Sequence, residues 1–63
     1  MEDRKTIKSI AITLISQYGD DAQAIAMLRA AEFAANLNND EWIKWEKIIK
    51  EIETINRSSI LDG

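Results

Sequence analysis

The sequence contains no cysteine, no histidine and no proline, and its two glycines are Gly19 and Gly63. Each absence excludes a class of chemistry. Without cysteine there is no disulfide and no thiolate metal site. Without histidine the chain lacks the commonest metal ligand and the usual general base near neutral pH. Hydroxyls such as Ser9, Ser16 and Thr54 have no imidazole to activate them. Lys44, Lys47 and Lys50 are interspersed with glutamates in the pattern of a solvated face. No catalytic residue, cofactor site, metal site or small-molecule ligand is therefore predicted. A run of about 18 apolar residues, the minimum for a bilayer span, is also missing. The charged start Met1-Glu2-Asp3-Arg4-Lys5 does not read as a signal peptide, so the expectation is a cytoplasmic chain.

Length sharpens these exclusions. Sixty-three residues make one small domain, and a chain of about this size buries only about 60% of the surface its unfolded form exposes. With no disulfide or metal to staple it, such a core must be very well packed or extended by another chain. The net charge of −3 and the pI near 4.7 disfavour binding driven by phosphate neutralisation.

What is present is helical periodicity. Ile7, Ile10, Ala11, Leu14, Ile15 and Tyr18 share one face by three-and-four spacing, predicting a first helix over about 3–18 with Asp3 as its cap. Gly19 follows at a typical left-handed stop. Asp20 or Asp21 is then expected to cap a second helix over about 21–37, ended at Asn38 or Asn39. Asp40 is the expected cap of a third helix over about 40–57. On that helix Trp42, Trp45, Ile49, Ile52 and Asn56 follow a heptad seam, Ile48 and Ile55 widen one flank, and Glu46–Lys50 and Lys47–Glu51 are spaced to pair. The tail, residues 58–63, loses the pattern and is expected to fray, with Ile60 and Leu61 its only candidates for folding back.

Turns this short make consecutive helices antiparallel neighbours, so the fold class is all-α, a small antiparallel three-helix bundle forming a single domain over 1–63. The second helix is apolar on almost every side, with Arg29, Glu32 and Asn36 as its one narrow polar stripe. Helices of that kind are buried by their neighbours, which predicts a central position and no functional surface there. Apolar residues left over after this packing, Ile12, Trp42, Ile43 and Ile55, are the candidate interaction surface. Of the two tryptophans, Trp45 is expected nearer the core and Trp42 nearer the edge.

Of three patterns suggesting other chemistry, two are set aside and one is kept as an alternative. Asp20-Asp21 reads as capping rather than as paired catalytic carboxylates. The run Asn36, Asn38, Asn39, Asp40, Glu41 lacks the central glycine and distant glutamate of a calcium loop. Arg4, Lys5 and Lys8 form the only locally basic patch, which supports one alternative: a small regulator of nucleic-acid transactions binding DNA or RNA directly.

The residues Tyr18-Gly19-Asp20-Asp21-Ala22, followed by Ile25-Ala26, Arg29-Ala30, Asp40 and Trp45, resemble a family of very small uncharacterised bacterial helical proteins. That family carries a Gly-Asp-Asp-Ala turn between helices and a later tryptophan. The resemblance implies a helical fold and no particular activity. The functional expectation is a non-enzymatic interaction module whose partner is a protein or a second copy of itself, as in a homodimer.

Overall fold

The computed structural model describes residues 4–62, with side chains through residue 57. All described residues except 36–38 are helical, and none lies in a strand. In chain order the elements are α1 (Arg4–Tyr18), a 3₁₀ turn (Gly19–Asp21), α2 (Ala22–Ala35) and α3 (Asn39–Asp62). Asp3 lies outside the described residues, as do the side chains of Ile60 and Leu61; the α3 backbone is helical through Asp62.

Three helices between two loops were expected, but the chain forms two unbroken helical runs, 4–35 and 39–62. The Gly-Asp-Asp segment is a bend rather than a loop. Gly19 adopts φ +58°, the left-handed value that redirects the chain, and the Ala22 amide then donates to the Gly19 carbonyl. Because this turn satisfies amides from the backbone, Asp21 makes no side-chain capping bond to α2. The cap expected from Asp20 or Asp21 is therefore not used.

The second break closes differently from expectation too. The Asn38 amide donates to the Phe33 carbonyl at 2.9 Å and the Leu37 amide to the Ala34 carbonyl at 3.1 Å, the paired bonds of a Schellman ending. The left-handed residue there is Leu37, at φ +58°, not an asparagine. Asn38 is unavailable for that role because its carbonyl already accepts the Trp42 amide at 3.0 Å, which makes it the N-cap of α3. Asp40 accordingly sits inside the first turn with Glu41, where carboxylates suit the positive helix end.

The core joins Ile7, Ala11 and Leu14 of α1, Ala22 and Ala26 of α2, and Ile48 and Ile52 of α3. Both α1 and α2 pack on α3, and they touch each other least. The central element is thus α3, not the second helix. Serving two neighbours, α3 centres its buried arc between them: Ile48 and Ile52 are fully buried, while Trp42 and Asn56, expected on the seam, are exposed. Trp45 lies half-buried against the core and stacks on Phe33, ring centres 6.4 Å apart. Thr13 and Thr54 bond back to the Ser9 and Lys50 carbonyls. Among the described residues Glu46–Lys50 and Lys47–Glu51 do not pair, whereas Lys44 and Glu41 meet at 3.9 Å.

Two stability predictions follow from this packing. Leu37 is 85% exposed, so replacing it with glycine relieves the left-handed strain without losing contacts; Leu37→Gly should stabilise by about 0.5–1 kcal/mol, seen as a higher thermal midpoint. Ile48→Ala removes half of the fully buried large side chains. It should cost about 2–5 kcal/mol, enough to abolish a cooperative melting transition in a domain this small.

Candidate interaction surface

The four surface residues expected from sequence do not converge. Ile12 is exposed on α1, Ile43 and Trp42 are exposed on α3, and Ile55 packs half-buried against the core. Consecutive residues on a helix point about 100° apart, so Trp42 and Ile43 face different directions. Ile43 lies on the α3 face that also carries Lys47, Lys50 and Thr54, all exposed, and stands alone there. Single exposed isoleucines are ordinary.

The contiguous apolar surface lies instead on α2, where none was expected. Its buried line is Ala22, Ala26 and Ala30, with Ile25 and Phe33 half-buried beside it. Opposite that line, Ala24, Met27, Leu28, Ala31, Ala34 and Ala35 are all exposed. At about 100° per residue they fill an arc of about 120° containing no polar residue. Met27 is 51% and Leu28 62% exposed. The helical projection of the sequence already contains this arc; what it lacks is how many neighbours α2 has. With α3 as the common partner, α2 is covered along one line only.

One polar contact fixes where this face lies relative to α3. Gln23 Nε2 donates to Glu53 Oε2 at 3.2 Å, marking one side of the α2–α3 pair. Eleven residues, three turns, place Ala34 and Trp42 within about 20° of Gln23 and Glu53 on their own helices. That side of the pair therefore runs on to Ala34 and the half-exposed Trp42, alongside the outer face of α2.

A second feature lies between α1 and α3. Arg4, Ile7, Lys47, Lys50 and Glu51 line an open groove of about 330 Å³. Ligand pockets are lined mainly by apolar side chains, and this groove is lined mainly by charged ones. It adds Lys47 and Lys50 to the basic end expected from Arg4, Lys5 and Lys8. Elsewhere the described residues include no buried polar or charged side chain and no cluster of three or more metal-ligating groups. No helix among them is long and apolar enough to cross a membrane. A scan of protein-family models, a search of curated proteins and a search of solved structures each gave no match to the chain.

Proposed function

We propose that this chain is a small acidic, non-enzymatic interaction module: an antiparallel three-helix bundle that works in a bacterial cytoplasm by self-association, as a homodimer, or by docking on a protein partner. In this reading it belongs with the small bacterial helical proteins that its Gly-Asp-Asp-Ala turn resembles. The observation that carries the reading is surface area. The chain exposes 4847 Å², whereas a compact monomer of its 7.2 kDa exposes about 4,100 Å² by the scaling of folded monomers. Part of the difference is the overhang of α3. The buried core is only four alanines and four larger aliphatic side chains, and Ile12, Met27, Leu28 and Ile43 stay about half exposed or more.

Sedimentation equilibrium tests the reading. The expected mass rises above 7.2 kDa as protein concentration increases, and rises further with added salt, because salt screens the repulsion between chains of net charge −3 and leaves apolar contact intact. A second reading, direct binding of DNA or RNA, is favoured by the Arg4, Lys47 and Lys50 groove. It predicts the opposite salt dependence and a mobility shift at low salt that Lys47→Glu with Lys50→Glu abolishes. Absence of any shift at low salt removes it.

A further inference from the structure

The outer face of α2 specifies its own partner. We infer that a second copy of this chain covers it, with the two α2 helices antiparallel about a two-fold axis between residues 29 and 30. The inference rests on the self-association reading above and assigns it a surface and a geometry.

Three observations support a second copy as the occupant. First, the face is self-complementary in register. Ala24, Leu28, Ala31 and Ala35 are spaced four, three and four residues apart, a pattern that reads the same in both directions. Antiparallel pairing about the stated axis sets Leu28 of each copy against Ala31 of the other and Ala24 against Ala35, while Met27 falls beside Ala34. Leucine thus meets alanine near the axis and alanine meets alanine at the ends, which lets two backbones approach to the short end of the usual 8–10 Å helix separation. A closed two-fold interface requires this property of a single patch.

Second, the face is electrically blank. No charged side chain lies within the arc, so pairing it with itself buries no like charges, although each chain carries a net charge of −3. Arg29 and Glu32 are exposed, and their helical angles place them outside the arc. A partner recognised by charge would find nothing to read on this face of α2.

Third, the face is long enough for helix pairing. The fourteen residues of α2 span about 21 Å, and the exposed line from Ala24 to Ala35 runs along most of that length. Two copies joined along α2 bring two α2–α3 pairs together as a four-helix layer.

The chain has no cysteine, so single-cysteine variants report contact without background. Ala31→Cys, near the proposed axis, should form a disulfide-linked dimer under mild oxidation, while Ile12→Cys and Ile43→Cys, on other faces, should not. Independently, Ala31→Lys and Leu28→Lys should each weaken dimerisation by about tenfold or more by placing a charge in a desolvated face, while helicity by circular dichroism stays unchanged. If the protein dimerises but crosslinks through Ile12→Cys or Ile43→Cys and not through Ala31→Cys, the α2 assignment fails and self-association stands. If sedimentation gives a monomer at every concentration, both fail. Dimerisation that survives Ala31→Lys and Leu28→Lys unchanged also overturns the inference.

Discussion

The contact between the alanine line of α2 and the isoleucines of α3 governs the remainder of the molecule. Ala22, Ala26 and Ala30 recur one helical turn apart and are all buried, so α2 can lie close along α3 with little side chain between the backbones. Ile48 and Ile52 occupy the resulting crevice, and both are fully buried. The Phe33–Trp45 stack closes one end of the pair and the Gln23–Glu53 hydrogen bond ties the other. On the same helix α3, α1 packs through Ile7, Ala11 and Leu14. A bulkier α2 would have separated the pair and changed the seat of α1.

The same contact limits stability. Alanine buries little apolar area and stabilises less than a larger side chain would, since the gain scales with apolar area removed from water at about 25 cal/mol per Å². Half of the buried hydrophobic residues are alanines. A single core in a chain this short supplies only a few kcal/mol even when well filled. The close approach that defines the fold therefore comes with a thin core, and the chain has no cysteine to compensate by cross-linking.

Much of this was legible in the sequence because helices announce themselves locally. The absence of proline, the three-and-four spacing of isoleucines and the position of Gly19 place the helical segments to within a few residues at most boundaries. Caps were less legible, for a physical reason. A side-chain cap is needed only where backbone amides would otherwise be orphaned, and at Gly19–Asp21 the 3₁₀ turn had already satisfied them. Leu37 carries no signal at all. Leucine is a poor left-handed residue, and it occupies that conformation because the next residue, Asn38, already caps α3.

The largest departure concerns what it means for a helix to be apolar on every side. In sequence, Met27 and Leu28 look like Ala26 and Ala30: members of a helix that must be surrounded. In the fold, α2 has its main contact with α3 and a lesser one with α1, leaving the Met27–Leu28–Ala31 side without a neighbour in the same chain. Hydrophobic periodicity counts the faces that require cover; it does not count the helices available to cover them. Within the described residues α2 can meet only α1 and α3, and α3 takes the place between them. The remaining face of α2 has an apolar pattern as regular as the buried one, with small residues spaced for helix contact rather than scattered. A helix apolar on more faces than its own domain covers keeps one of those faces exposed. Here α3 covers the other.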